Sequence, residues 1–239
     1  MRILFERRLR PASMTMRPRV GITVGDPAGI GPEIATKAAQ DPRVTAACEP
    51  ILYGPHSRDE LAAFARGRIS PEAGRAAYNA IESAVGDALS GQIHAIATAP
   101  INKEAFAVAG LSWPGHTELL AHLTGAPRVA MMFHAEKLRV VLATIHVPLA
   151  RVPELLTWDR VESTIDLTWQ ALPRFGIAAP RLAVAGLNPH AGEHGTTGRL
   201  AQSRPALRAP SGRAPRRGDS ARRPLDAGRL CRNAAAPAR

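Results

Sequence analysis

Residues 20–33, Val-Gly-Ile-Thr-Val-Gly-Asp-Pro-Ala-Gly-Ile-Gly-Pro-Glu, carry the strongest indication of the fold class. Their first five residues are rich in β-branched side chains and predict a short strand. The glycines and prolines that follow predict a tight turn. Residues 34–40 are predicted to be helical, with Pro32 suited to the first turn of that helix. A strand, a glycine-rich turn and a helix in succession are typical of an α/β protein.

Strands and helices continue to alternate along the chain. Further strands are predicted at residues 51–53, 93–98, 129–133, 140–145 and 181–187, and helices at 71–89, 104–109, 118–123 and 161–175. The strands at 129–133 and 140–145 are close enough to form a hairpin. The alternation predicts an α/β sandwich with a mostly parallel sheet.

The net charge of +11 is concentrated at the two ends of the chain. Residues 199–239 hold eleven arginines against two acidic residues, and they lack Ile, Val, Met and aromatic residues. We expect this Arg/Ala/Pro-rich tail and the basic extension at residues 1–17 to be disordered, because they have little to bury. The tail is interpreted either as a nucleic-acid-binding segment or as an out-of-frame translation of a GC-rich gene. Its lack of lysine and aromatic residues makes nucleic acid the less favoured partner.

Cysteine content and hydropathy bear on where the protein works. The two cysteines, Cys48 and Cys231, are too few for a disulfide framework. No apolar run is long enough to cross a membrane, and the first ten residues lack the apolar segment of a secretory signal. We therefore expect a cytoplasmic protein with no membrane partner.

Four polar clusters each follow the end of a predicted strand. They are Gly25–Glu33, Thr98–Lys103, Thr144–His146 and Asn188–Glu193. Ligands of open α/β sheets bind at the carboxyl ends of the strands. The clusters are therefore the candidate site.

The first two clusters offer anion or cofactor contacts. The turn around Asp26 precedes a helix whose N-terminus would favour an anion or a cofactor, although its glycines would equally serve a tight turn with positive φ. The spacing of those glycines is not that of a Rossmann fingerprint. Lys103 is interpreted either as an anion-binding cation or as a surface lysine.

Histidines supply the remaining candidates. His146 and His190 follow two predicted strands and would share a divalent metal, although single histidines are more often packed or surface residues. Thr117 is interpreted either as an N-cap or, together with His116, as a hydrogen-bonding pair for a phosphate or carboxylate.

Six motifs in order resemble a known enzyme family. They are VGITVGDPAGIGPE (20–33), ATAPINKEA (97–105), GHTE (115–118), VAMMF (129–133), ATIHVPL (143–149) and GLNPHAGE (186–193). Over residues 18–198 the chain is similar to the 4-hydroxythreonine-4-phosphate dehydrogenases of vitamin B6 biosynthesis. The resemblance implies a sandwich like that of the isocitrate and isopropylmalate dehydrogenases.

The resemblance also implies an activity. Family members oxidise the C3 hydroxyl of 4-phosphooxy-L-threonine with NAD or NADP, and loss of CO2 gives 3-amino-2-oxopropyl phosphate. A divalent metal (Zn, Mg or Co) assists, and His146 and His190 match two of its three ligands. His116 and Thr117 match substrate-binding positions. The family forms homodimers, so we expect a second copy as partner.

The chain departs from the family pattern after residue 198. The third metal histidine lies beyond that point in the family, and no counterpart is present here. We therefore expect a chain that is truncated or frameshifted, a fold incomplete at its C-terminus, and impaired activity. The alternatives are a dehydrogenase of D-threonate or D-erythronate 4-phosphate, and a non-catalytic protein that binds nucleic acid through its tail.

Overall fold

The computed structural model describes residues 2–3, 17–135 and 138–187. Its strands are β1 (Arg2–Ile3), β2 (Arg19–Thr23), β3 (Glu49–Tyr53), β4 (Ala95–Thr98), β5 (Met131–His134) and β6 (Arg139–Leu142). Its α-helices are α1 (Gly31–Gln40), α2 (Pro42–Ala47), α3 (Arg58–Leu61), α4 (Pro71–Ser90), α5 (Lys103–Val108), α6 (His116–Thr124), α7 (Val152–Leu155) and α8 (Trp158–Ala171). The chain divides into an N-terminal unit, Phe5–Val129, and a C-terminal unit, Met1–Leu4 with Ala130–Arg239.

A parallel sheet of order β3-β2-β4 forms the centre of the N-terminal unit. Its middle strand buries Ile22 and is followed by buried Val24, and both pack with Ala35 of α1. These apolar contacts hold the helix that follows the glycine-rich turn against the sheet, and burial of such side chains is the main stabilising contribution.

Helix α4 is the longest helix of the described chain. The serine at position 70 caps its first turn by accepting a hydrogen bond from the Ala73 amide at 3.1 Å, and Gly91 ends it with φ of +82°. Its buried stripe repeats at helical spacing and consists of Ala73, Gly74, Ala77, Ala80, Ile81, Ala84 and Val85. Small side chains along one face let the helix approach its neighbours closely, which explains the alanine-rich sequence.

The C-terminal unit contains an antiparallel sheet of order β1-β5-β6. Ala130 and Met132 on one side of the hairpin pack with Leu167 and Ala171 of α8. The connection between β5 and β6 spans residues 135–138, which is too short for the crossover that a parallel pair needs. The α/β class with a parallel sheet is confirmed, but a mostly parallel sheet is wrong for the described strands, since three of the six belong to the antiparallel sheet.

Two other predicted elements differ in the structure. Residues 181–187 form no strand; Ala185 alone makes an isolated bridge, and a strand requires a continuous ladder of such pairs. The helix predicted at 161–175 begins three residues earlier and gives way to a 3-10 turn at Leu172–Phe175. Pro173 explains this end, because proline lacks the amide that would continue the α-helical hydrogen bonds.

Arg2–Ile3, within the extension that we expected to be disordered, form β1. The Arg/Ala/Pro-rich tail lies outside the described residues. Along the described ranges, no helix combines the length and apolar character that crossing a membrane requires.

Candidate functional site

Two of the polar clusters meet at the carboxyl edge of the parallel sheet, as their positions after β2 and β4 predict. The Ala99 amide donates to the Thr23 carbonyl at 2.9 Å, and the Asp26 amide donates to the Pro100 carbonyl at 3.0 Å. These bonds join the turn after β2 to the loop after β4. Residues about 75 positions apart in the sequence therefore form one continuous surface.

The three glycines of the turn have different structural roles. Gly25 has φ of +71°, and a Cβ there would lie 2.1 Å from the Pro100 carbonyl oxygen. A Cβ on Gly31 would lie 2.0 Å from the Val24 carbonyl oxygen. Both contacts are far inside van der Waals distance, so the fold itself requires these two glycines. A Cβ on Gly29 would meet nothing closer than 3.5 Å, and its φ is not in the left-handed region.

An open depression of about 470 Å³ lies where the turn and the loop meet. It is lined by Asp26, Gly29, Ile30, Pro100, Ile101, Asn102, Lys103 and Glu104. Asp26 and Lys103, the two residues that the sequence analysis predicted as anion or cofactor contacts, therefore both line this depression.

The two charged candidates differ in exposure. Asp26 is only 8% exposed, and its Oδ1 accepts a hydrogen bond from the Ala28 amide at 2.9 Å. Lys103 is exposed at the first position of α5. The depression therefore has a fixed carboxyl group at its wall and a long cationic side chain on the adjacent helix.

Sequence reasoning missed the apolar wall of the depression and the role of Asn102. The Asn102 Oδ1 accepts from the Glu104 and Ala105 amides at 2.9 and 3.1 Å, so it caps α5 and fixes the loop. Asparagine just before a helix is a recognisable capping signal. Nothing in the sequence indicates that Ile30, which is 59% exposed, faces a depression.

His116 and Thr117 begin helix α6 of the same unit. Gly115 occupies the N-cap with extended backbone, so the interpretation of Thr117 as the N-cap is wrong. Thr117 is instead buried in the first turn, 5% exposed. The two candidate substrate-binding residues, His116 and Thr117, therefore lie in the first turn of a regular helix, which fixes the position of their backbone.

The imidazole of His116 has an unusual environment. Its Nε2 atom is buried and has no hydrogen-bond partner among the described residues. Burial lowers the pKa of His116 below its ordinary value, which favours the neutral ring. A buried polar atom without a partner is costly, and in native proteins such an atom is usually satisfied by a ligand, a water or an ion.

His146 belongs to the C-terminal unit and follows β6. It is exposed, and its φ of +52° makes it the one non-glycine residue with positive φ in the described ranges. Histidine is among the side chains found more often in this conformation, but the conformation still costs free energy. Such backbone strain is frequent at functional sites.

The remaining metal candidate, His190, lies outside the described residues. Residues 17–135 and 138–187 contain no group of three or more His, Cys, Asp or Glu side chains arranged to hold a metal ion. The described part of the chain thus offers His146 without the further ligands that a catalytic metal needs.

Both the sequence and the fold of this chain are similar to those of known proteins. A model of one family, the pyridoxal phosphate biosynthetic protein PdxA, matches residues 30–211. The chain belongs to the PdxA family. The matched range extends beyond residue 198, where we expected the resemblance to end.

Several relatives of this PdxA chain have names that describe dehydrogenases. It is 41% identical over 220 residues to the 4-hydroxythreonine-4-phosphate dehydrogenase of Desulforapulum autotrophicum, an alignment that covers 76% of this chain and 65% of the relative. It is 39% identical to the D-threonate 4-phosphate dehydrogenase of Cupriavidus necator, with 76% and 65% covered.

A solved structure agrees with these names. The crystal structure of a 4-hydroxythreonine-4-phosphate dehydrogenase from Burkholderia phymatum matches with a TM-score of 0.68 at 35% identity, over 78% of this chain and 68% of that protein. The chain spans just under two thirds of the length of these curated relatives, 65% and 66% for two of the 4-hydroxythreonine-4-phosphate dehydrogenases.

Proposed function

We propose that the protein is a dehydrogenase that acts on 4-phosphooxy-L-threonine in pyridoxal phosphate biosynthesis. The observation that carries this proposal is the buried, unpartnered Nε2 atom of His116 at the start of α6, in a family whose relatives include 4-hydroxythreonine-4-phosphate dehydrogenases. In the proposed reaction the C3 hydroxyl is oxidised to a ketone while NAD or NADP is reduced. The resulting 3-oxo acid then loses CO2 to give 3-amino-2-oxopropyl phosphate.

His116 would use Nε2 to hydrogen-bond the substrate. A neutral imidazole presents one donor and one acceptor nitrogen, so it suits a hydroxyl or phosphate oxygen without adding a charge. Thr117 adds a hydroxyl from the next residue of the same helical turn. Two adjacent groups on a fixed backbone orient a substrate better than groups on a flexible loop.

The cofactor and the metal are parts of the same proposal. Asp26 and Lys103 line the depression and are proposed to contact the NAD or NADP cofactor or an anionic group. A divalent metal, Zn, Mg or Co, would polarise the substrate oxygen, with His146 and His190 as proposed ligands. The described residues do not hold a complete ligand set, so we assign no step to the metal.

A second candidate substrate is D-threonate or D-erythronate 4-phosphate. The relative from Cupriavidus necator, nearly as similar as the first, is named a D-threonate 4-phosphate dehydrogenase. The two substrate classes share a phosphate on C4 and the C3 hydroxyl that is oxidised, but they differ at C2, which carries an amino group in the first class and a hydroxyl in the second.

Substrate binding by the 239-residue chain tests the proposal without requiring turnover. Titration calorimetry with 4-phosphooxy-L-threonine should detect binding, and His116→Ala should weaken it at least tenfold, which is about 1.4 kcal/mol. His134→Ala, a histidine exposed on β5, is the matched control and should bind as the parent does. Equal affinities of the parent and His116→Ala would contradict the role of His116.

The same titration separates the two substrate classes. Tighter binding of 4-phosphooxy-L-threonine than of D-threonate 4-phosphate supports the first candidate, and the reverse order supports the second. Binding of neither would contradict the proposed function.

Four further expectations stay predictions. We propose that the enzyme has the isocitrate dehydrogenase-like sandwich, works as a homodimer and acts in the cytoplasm. Analytical ultracentrifugation would test the dimer.

Nucleic-acid binding through the tail stays the less favoured alternative. Salt-sensitive retention on DNA that is lost on deletion of residues 199–239 would support it.

A further inference from the structure

The helix that carries the proposed substrate-binding pair starts differently from several of its neighbours. Helices α2, α3, α4, α5 and α8 each begin after a residue whose side chain accepts a hydrogen bond from an amide of the first turn. Helix α6 begins after Gly115, which has no side chain to offer such an acceptor. A first turn without a side-chain cap is less stable. Because His116 and Thr117 lie in this turn, the contacts that hold it decide where their side chains lie.

An aromatic contact connects the preceding loop with α6. The ring centroids of Trp113 and His122 lie 4.6 Å apart, and the two ring planes are inclined at 35°. This distance falls within the range of favourable aromatic pairs. Trp113 precedes Gly115 in the loop, whereas His122 lies in the last turn of α6. The contact therefore joins the loop before the helix to the far end of the same helix.

The loop between α5 and α6 is held at both of its ends. The Leu111 amide donates a hydrogen bond to the Phe106 carbonyl at 2.9 Å, which ties the start of the loop to α5. Gly110 turns the chain out of α5 with φ of +73°, a conformation that favours glycine. The ring of Trp113 then ties the end of the loop to α6.

We propose that Trp113 is a positioning residue for substrate binding. By stacking on His122 it holds the loop against α6 and keeps the first turn, with His116 and Thr117, in the geometry that receives the substrate. The inference rests on the proposed function, because it concerns the substrate contacts of that reaction. Trp113 is half-buried and His122 is exposed, so the pair lies at the surface and can be altered without emptying the core.

Titration of the 239-residue chain with 4-phosphooxy-L-threonine tests the proposal. Trp113→Ala should weaken binding by about three- to tenfold, which corresponds to the interaction of one aromatic pair. Trp113→Phe keeps a ring that can stack on His122 and should bind within about twofold of the parent. Trp113→Leu is apolar but has no ring, so it should weaken binding as Trp113→Ala does.

A double-mutant cycle identifies the contact that is responsible. His122→Ala removes the other ring and should weaken binding as much as Trp113→Ala. The variant that carries both substitutions should bind no more weakly than either single variant, because both changes remove the same contact.

A second measurement reports on the first turn of α6 directly. Burial lowers the pKa of His116 below its ordinary value. If the loop loosens, water reaches the Nε2 atom, and the pKa of His116 measured by NMR titration should rise toward its ordinary value. We expect this rise in Trp113→Ala and a parent-like pKa in Trp113→Phe. The signal is assigned by its loss in His116→Ala, and the measurement needs no ligand.

Tyr53→Phe is the control for a general loss of stability. The Tyr53 hydroxyl donates to Asp87 Oδ2 at 2.6 Å and joins β3 to α4, so it stabilises the unit through elements other than α6. This variant should lower the midpoint of urea unfolding but keep the substrate affinity and the pKa of His116.

The outcomes are distinguishable. Parent-like affinity of Trp113→Ala for a substrate that the parent binds overturns this inference and leaves the proposed function standing. Additive losses in the double variant, or equal losses in Trp113→Phe and Trp113→Ala, also overturn it, because the ring contact is then not the cause. Weaker substrate binding by Tyr53→Phe would assign the effect to stability alone. Failure of the parent to bind either substrate class contradicts the proposed function, and the pKa of His116 in the variants then decides whether Trp113 holds the turn.

Discussion

Replacement of Gly31 by alanine should destabilise the N-terminal unit severely. The added Cβ would lie 2.0 Å from the Val24 carbonyl oxygen and 3.1 Å from its carbon. A carbon and a carbonyl oxygen normally stay about 3.3 Å apart or more, so the two backbones would have to separate by about 1.3 Å. Neither atom belongs to a flexible side chain, and the strand end and helix start are both fixed by the core around Ile22 and Ala35.

The expected loss is at the upper end of the range for overpacked cores, about 3 kcal/mol. For a chain of this size that loss corresponds to a fall in Tm of about 6–12 °C. Urea unfolding followed by circular dichroism measures it directly. Gly86→Ala is the control and should stabilise α4 by about 1 kcal/mol. Parent-like stability of Gly31→Ala would refute the reasoning that this glycine is required by a close backbone contact.

Two further predictions concern other parts of the chain. The Tyr53 hydroxyl donates to Asp87 Oδ2 at 2.6 Å, and burial, with this carboxylate, raises the pKa of Tyr53 to about 12. Tyr53→Phe should cost about 1.5–3 kcal/mol at pH 8. The difference in free energy of unfolding between the parent and Tyr53→Phe should persist below pH 10 and disappear as the pH rises through 12, because the hydrogen bond needs the protonated phenol. A difference in urea midpoints that does not change with pH would contradict this account. His146→Gly should raise Tm slightly and His146→Val should lower it. The backbone φ of +52° at this position costs about 1–2 kcal/mol of folding free energy for a residue other than glycine. The opposite order of Tm values would show that the strain is not at this residue.

The local elements of this protein could be predicted from the sequence because each depends on neighbouring residues. The strand, turn and helix around residues 20–40 and the alanine stripe of α4 follow from side-chain periodicity and caps. The family could be identified for the same reason, since its motifs are short contiguous stretches. The alternation of strands and helices indicated a parallel sheet, but the pairing of β2 with β4 is known only from the structure.

The tertiary structure alone decided which residues share a surface and why. Asp26 and Lys103 are distant in sequence, and only the hydrogen bonds between the two edge loops place them on one depression. Gly25, Gly29 and Gly31 have the same side chain, yet two are required by close backbone contacts and one is not. Likewise, only the folded structure shows that the Nε2 atom of His116 is buried without a hydrogen-bond partner among the described residues. Steric exclusion and desolvation depend on atoms that meet only when the chain is folded, so no local pattern can contain them.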